Sequence, residues 1–329
     1  MAYLEVLFGL VILIFAGDFL VRGAVALAKK MGVPTLVIGL TIVAFGTSAP
    51  ELVVAIDAVI IGSPTLALGN VIGSNIANVL LVIGLPALIY PISCASPRMT
   101  RNLVIMLAAT VIFILMGIAS QGVYTAPQGI ILLALLSLFL VYSALRAKAH
   151  PEAIEPLEEL NGICETPQSY GFSIILIVGG LIGLVFGADL FVKGAIVIAR
   201  EWKISEEVIG LTLVAVGTSL PELVTSIVAA VRRHHDVAVG NVIGSNLFNL
   251  LAVIGTSSLF GDIPVPESFM RVDMWVMLAA SIALLPYCFY KQSVGRYSGI
   301  GFIAAYGLYM GYLMQTAHTN SVMMTIGAQ

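Results

Sequence analysis

Two glutamates inside otherwise apolar stretches are the residues of this chain best placed to do chemistry. Glu51 lies in GLTIVAFGTSAPEL (39–52) and Glu222 in GLTLVAVGTSLPEL (210–223). Beyond each comes GNVIGSN, at 69–75 and again, identically, at 240–246. The offset is 171 residues at both places, so Glu51 matches Glu222, Ser74 matches Ser245 and Asn78 matches Asn249. Thr47 and Glu51 are four apart, as are Thr218 and Glu222, Ser74 and Asn78, and Ser245 and Asn249. In a helix each pair shares a face. Pro50 and Pro221 remove a backbone donor and press on the carbonyls of Gly46 and Gly217. The helix should open there and free carbonyls near Ala44–Gly46 and Ala215–Gly217. Every ligand in this set is oxygen, which suits hard cations such as Ca²⁺ and Na⁺. None of the motifs holds Cys or His, which argues against zinc, copper or nickel. Two glutamates carry a formal −2 that one Ca²⁺ or several Na⁺ would balance. A site that either ion set neutralises, but that is costly to leave empty, favours exchange over uniport.

The elements that position these groups must lie in a membrane. Hydrophobic residues make up 59% of the 329 and charged residues only 10%, against about 25% charged in a soluble domain. A net charge of −3 gives no hint of nucleic-acid binding. Spanning helices need roughly 20 apolar residues, and ten such runs fit: 3–28, 35–61, 66–90, 102–120, 126–145, 171–199, 206–231, 237–260, 272–290 and 297–316. Residues 1–28 lack the basic start and small-residue cleavage site of a signal peptide, so they read as the first span. The polar stretch 146–170, with five Glu and three Pro, reads as a linker between halves 1–145 and 171–329.

The repeat reaches beyond the motifs. Between 39–80 and 210–251, 24 of 42 positions are identical, and Asp18, Arg22 and Gly23 match Asp189, Lys193 and Gly194. With the N-terminus outside, cytoplasmic connections carry ten Lys and Arg and external ones carry three. This positive-inside bias puts both termini outside and the linker in the cytoplasm. Five spans per repeat is an odd number, so the second half inserts upside down. The fold class is therefore all-α integral membrane, with ten transmembrane helices in two inverted-topology five-helix repeats.

Other polar residues have plainer readings. Asp18 with Arg22 and Asp189 with Lys193 read as ion pairs within a helix. Asp57 has no acidic counterpart and reads as interfacial or as lining an access path. Asn75 and Asn246 lie off the Ser/Asn face and are expected to bond backbone in the packing. Cys94, Cys164 and Cys288 form no metal or redox motif. Asp18 and Asp189 could in principle form the dyad of an intramembrane aspartyl protease, but each has a basic residue four positions on.

The paired segments GTSAPE with GNVIGSNIAN and GTSLPE with GNVIGSNLFN resemble the two α-repeats of the cation/Ca²⁺ exchanger superfamily, in its prokaryotic Na⁺/Ca²⁺ exchanger branch. The resemblance covers almost the whole chain. It implies that Glu51 and Glu222 are the central Ca²⁺ ligands, with Thr47 and Thr218 beside them. Ser48, Ser74, Ser219 and Ser245, with the carbonyls of Ala44 and Ala215, would form flanking Na⁺ sites. Asn78 and Asn249 would complete the middle. Spans one and six would slide as a pair across the other eight. Some relatives carry Asp where Asn249 stands, and the amide here weakens the case for K⁺ co-transport. The implied protein is a Na⁺/Ca²⁺ antiporter of the cell (inner) membrane, with the two ions as substrates, the bilayer as surroundings, no cofactor and no covalent reaction. The alternative is a Ca²⁺/H⁺ antiporter using the same glutamates.

Overall fold

A computed structural model describes residues 1–149, 169–202 and 215–327. Helix α1 is Ala2–Met31. The second span is broken into α2 (Thr35–Thr47) and α3 (Ala49–Ile60), which meet at 42°. Then come α4 (Pro64–Ile89), α5 (Pro97–Ala119) and α6 (Ala126–Ala149). The second half runs α7 (Tyr170–Glu201), α8 (Ala215–Thr218), α9 (Leu220–Val231), α10 (His235–Ser257), α11 (Phe269–Phe289) and α12 (Arg296–Gly327). Seven of these helices are long and apolar enough to cross a bilayer alone, and α2 with α3 makes an eighth span. Among the described residues, α8 with α9 and α12 occupy the seventh and tenth positions. The fold is thus an all-α multi-pass membrane fold of ten spans. Helix α6 continues to Ala149, so the first residues of the 146–170 stretch are helical. Residues 150–168 of that linker, including Cys164, and the start of the seventh span lie outside the described residues.

Four two-residue strands, which apolar periodicity does not foretell, establish the inversion. Strand β1 (Ile92–Ser93) follows the third span, β2 (Val123–Tyr124) the fourth, β3 (Ile263–Pro264) the eighth and β4 (Ser293–Val294) the ninth. By the repeat offset β1 is equivalent to β3. Yet β1 pairs with β4, and β2 pairs with β3, both antiparallel. Two halves inserted the same way round would put equivalent connections on one face. Here the connection after span three shares a face with the one after span nine, so the halves are inverted.

In lipid no hydrophobic force drives helices together, so close packing of small residues must do it. Helices α1 and α7 show this, lying antiparallel along their length. A Cβ added to Gly9 would sit 2.7 Å from the backbone N of Phe191, and one on Gly180 would sit 2.7 Å from that of Leu20. Gly9 and Gly180 are the same position of the two repeats, as are Gly23 and Gly194, which meet Ser173 and Ala2 backbone oxygens. Gly180→Leu would wedge the pair apart.

The remaining spans surround α4 and α10, the two helices that carry GNVIGSN. The most apolar window of α10 is 100% buried and that of α4 72%, whereas those of α6 and α7 are only 28% buried and face lipid. The polar motifs therefore sit at the centre of the bundle, where backbone and side-chain polar groups must find partners within the protein.

Candidate functional site

The broken helices are built alike in the two halves. Ser48 leaves helical geometry at φ −85°, ψ 3°, and Ser219 does so at φ −88°, ψ 4°. Pro50 and Pro221 follow in the first turns of α3 and α9, where a missing N–H costs nothing. Glu51 and Glu222 lie in those same first turns, 0% and 1% exposed. The positive end of each helix dipole thus faces a carboxylate at the centre of the bundle. Upstream, Gly39–Val43 forms a π-helical turn before the break, a distortion that recurs at functional sites.

The Ala44 carbonyl is not freed by Pro50. It accepts the N–H of Ser48 at 3.0 Å and the hydroxyl of Thr47 at 3.3 Å. The carbonyl that Pro50 cannot serve is that of Gly46. Ala215, the counterpart of Ala44, opens α8 at the edge of the described residues.

Of the other residues read from the sequence, two serines reach a glutamate and the rest bond one another or neighbouring asparagines. Ser48 Oγ donates to Glu222 Oε1 at 3.2 Å, and Ser245 Oγ reaches the same oxygen at 3.5 Å. On the opposite side Ser219 Oγ bonds Ser74 Oγ at 3.4 Å instead of Glu51. Thr47 Oγ1 lies 3.2 Å from Asn241 Oδ1, and Thr218 Oγ1 lies 3.3 Å from Asn70 Oδ1. These two contacts are equivalent under the repeat. Asn70 and Asn241 were not among the expected residues, although the signal was present. Asn70, Ser74 and Asn78 recur every fourth residue, as do Asn241, Ser245 and Asn249, so each trio lines one helix face.

Asn75 and Asn246 bond backbone across the bundle, each Nδ2 donating to the other's main-chain oxygen at 3.4 Å. Asn78 Nδ2 donates to Asn246 Oδ1 and Asn249 Nδ2 to Asn75 Oδ1, both at 3.1 Å.

The atoms left over decide the chemistry. Both oxygens of Glu51, Oε2 of Glu222, Oδ1 of Asn78 and Oδ1 of Asn249 are buried without a hydrogen-bond partner. All five are acceptors, against one buried amide donor without a partner on the same faces, Asn70 Nδ2. Each buried unsatisfied acceptor costs about 1–3 kcal/mol, more when charged. Acceptors of this kind are satisfied by a cation. Five oxygens, two from one carboxylate, approach in number the six to eight that Ca²⁺ takes, and the hydroxyls of Ser48 and Ser245 stand against Glu222.

The two aspartates repeated in α1 and α7 are paired. Asp18 binds Arg232, beyond the end of α9, more closely than Arg22, which is 3.8 Å away. The pairing expected within α1 is therefore secondary to one between helices. Asp189 binds Lys193 at 2.7 Å, within its own helix. Asp189 lies level with Gly9 on the antiparallel partner, nine residues from Asp18. At 1.5 Å per residue the two aspartates are about 13 Å apart along the pair, too far for a proteolytic dyad. Asp57 is exposed on α3. Cys94 and Cys288 are buried free thiols beside the β1–β4 pairing.

Comparison with known proteins rests on nearly the whole chain. The sequence profile of the family described as "Sodium/calcium exchanger protein" matches residues 1–145 and 172–315. The chain belongs to the sodium/calcium exchanger family. It is 33% identical to the sodium/calcium exchanger MaX1 of Methanosarcina acetivorans over 329 aligned positions, covering 91% of this chain and 94% of the other. It is 35% identical to the inner membrane protein YrbG of Escherichia coli over 304, covering 91% and 92%. Among solved structures, the sodium-calcium exchanger NCX_Mj soaked with 10 mM Na⁺ and zero Ca²⁺ superposes with a TM-score of 0.80 at 36% identity, covering 94% of this chain and 98% of that one. The two stretches that the family profile matches leave out 146–171, which is nearly the stretch read as the linker. Membership in this family, which is a family of ion exchangers, makes the protein a transporter and not an enzyme.

Proposed function

We propose that this chain is a secondary active antiporter that exchanges Na⁺ for Ca²⁺ across the cell membrane by alternating access. The observation that carries the reading is the set of five buried acceptor oxygens without donors, divided between the two repeats. Glu51 and Glu222 are its Ca²⁺ ligands, and Asn78 and Asn249 supply neutral oxygens between them. Thr47, Ser48 and Ser74, with Thr218, Ser219 and Ser245, offer hydroxyls for Na⁺ on either side. The carbonyls of Ala44 and Ala215 belong to the same flanking sites, and a carbonyl already accepting hydrogen bonds makes a weak ligand. That favours Na⁺, with its single charge, over Ca²⁺ there.

Exchange follows from charge. Two carboxylates in a water-poor centre are balanced by one Ca²⁺ or by Na⁺ ions, and the empty site leaves them opposed. The protein therefore reorients when loaded with either ion set. The α1–α7 pair packs through glycines along its own length and makes a coherent body to slide past the other spans.

The functional halves are 1–145 and 171–329, joined by a linker at 146–170. Ten Lys and Arg against three support the orientation with both termini outside and the linker in the cytoplasm. The protein works in the cell membrane, the inner membrane where there are two. In proteoliposomes loaded with Na⁺, an outward Na⁺ gradient should drive uptake of radiolabelled Ca²⁺. Uptake driven by a pH gradient and indifferent to Na⁺ would overturn the Na⁺ coupling.

A further inference from the structure

An asparagine side chain has an oxygen and an NH₂ of nearly equal size, so shape alone does not say which one faces a cation. Asn78 and Asn249 both turn their oxygens inward, unpartnered and buried. Turned the other way, each would aim two N–H donors at a positive ion. Their orientation has a traceable origin. Main-chain carbonyls only accept hydrogen bonds. The main-chain oxygen of Asn75 takes Nδ2 of Asn246 at 3.4 Å, which leaves Asn246 Oδ1 at the other end of that amide. That oxygen in turn takes Nδ2 of Asn78 at 3.1 Å, and Asn78 Oδ1 is left for the site. The mirror chain runs from the main-chain oxygen of Asn246 through Nδ2 of Asn75 at 3.4 Å, then from Asn75 Oδ1 to Nδ2 of Asn249 at 3.1 Å. Both relays start on a backbone group that cannot reverse its polarity. Both cross from one repeat to the other.

We propose that Asn75 and Asn246 are positioning residues that fix the amide polarity of Asn249 and Asn78, so that both site amides present oxygen to the transported cation. The inference rests on the exchange reading above. Asn75 and Asn246 touch no ion themselves: each commits its NH₂ to backbone and its oxygen to the neighbouring amide. They hold α4 to α10 at the centre of the bundle and set the site's selectivity for a cation over a hydrogen-bond acceptor. Asn75 Nδ2 lies also 3.6 Å from Met277 Sδ, so α11 backs the second relay.

The test is a double-mutant cycle read by the apparent KM for Ca²⁺ in Na⁺-driven uptake. Asn246→Leu keeps the branched shape and the number of heavy atoms and removes the acceptor that holds the Asn78 NH₂. In the wild-type background it should raise KM at least tenfold, with a smaller change in maximal rate. In an Asn78→Asp background it should not raise KM, because a carboxylate has no NH₂ to orient and meets the Asn246 oxygen as one acceptor against another. In an Asn249→Asp background it should keep its full effect, since Asn249 is oriented by Asn75. The mirror cycle, Asn75→Leu against Asn249→Asp, gives the same reading through the other relay and serves if one Leu variant does not fold. An equal factor for Asn246→Leu in all three backgrounds would mean a general packing role and overturn the proposal. Absence of Na⁺-driven Ca²⁺ uptake in the wild type would instead overturn the exchange reading on which it rests.

Discussion

Glu51 is the barest group of the site, and its replacement by glutamine should push binding and stability in opposite directions. Glu222 Oε1 has two hydroxyls against it, whereas neither oxygen of Glu51 has a partner and its side chain is 0% exposed. In Glu51→Gln the shape stays and one charge goes. Removing one partner from a buried charge pair costs roughly 3–5 kcal/mol. At about 1.4 kcal/mol per decade, Ca²⁺ affinity should fall by about two to three and a half decades, and Na⁺-driven flux should be abolished or strongly reduced. In the empty protein the same change removes an uncompensated buried carboxylate, worth several kcal/mol. It leaves an unsatisfied amide, which costs about 1–3 kcal/mol. The balance is a net stabilisation, read as a rise in Tm of a few degrees. The assay is thermal denaturation of purified protein in Na⁺-free buffer, with chelator and with added Ca²⁺, beside flux in proteoliposomes. Wild type should gain Tm with Ca²⁺, and Glu51→Gln should start higher and gain little. A variant that starts lower and still gains the full Ca²⁺ increment would refute the ligand assignment.

Asn249→Asp raises the formal charge of the site from −2 to −3 and sets two acceptors facing across the present 3.1 Å contact with Asn75. Uptake should fall more steeply on acidification than in wild type and gain a response to K⁺, and superimposable profiles with and without K⁺ would remove position 249 from the site. Asp18→Asn should lower Tm more than Asp189→Asn does. The Asp18–Arg232 pair is 20% and 22% exposed and joins two helices, whereas the Asp189–Lys193 pair is 52% and 69% exposed within one, the kind worth only about 0.3–0.5 kcal/mol. Equal shifts would deny the interhelical pair its role. A membrane-impermeant thiol reagent added to intact cells should leave Cys164 unlabelled, and labelling would reverse the assigned orientation while leaving the exchange reading intact.

The site was legible in the sequence because the chain states it twice. A glutamate four residues after a threonine is weak evidence alone, but the same pair at a constant offset of 171 residues ties six residues of each half together. Helical periodicity places Ser74 and Asn78 on one face, and in the structure Ser74 meets Ser219 while Asn78 meets Asn246, all four buried with the glutamates at the centre of the bundle. What the sequence did not disclose depends on contacts across the bundle. The Asn75–Asn246 brace joins residues 171 apart, and nothing local marks it. Asn70 and Asn241 repeat the every-fourth-residue pattern, so they were readable and were passed over. The Ala44 carbonyl was expected to be free because Pro50 follows. Proline, however, withholds its N–H from the carbonyl four residues back, which is Gly46, while Ser48 still serves Ala44. Arg232 as the partner of Asp18 was out of reach of any argument from spacing within one helix.

Two kinds of asymmetry divide the halves, and they have different consequences. Some positions differ in chemistry. Arg232 faces Asp18, but its counterpart Ile61 can offer Asp189 nothing, and Ser226, which takes the Asn241 amide at 3.4 Å, is Ala55 in the first half. Such differences stay with the chain in every state, so they bias the balance between outward and inward forms. Other differences occur between identical residues. Glu222 is held by Ser48 and Ser245, while the equivalent Ser219 and Ser74 bond each other and leave Glu51 bare. Nothing in the sequence prevents the reverse. An inverted-repeat transporter alternates access by moving one repeat or bundle against the other around a fixed site, and an exchange of conformations between the halves would be one such move. Ser219 and Ser74 would then turn to Glu51 and Glu222 would be released. On that exchange the same four serines would hold one glutamate at a time, and the bare carboxylate would change places as access changes sides. A structure of the opposite state with Glu222 still held and Glu51 still bare would contradict this exchange of roles.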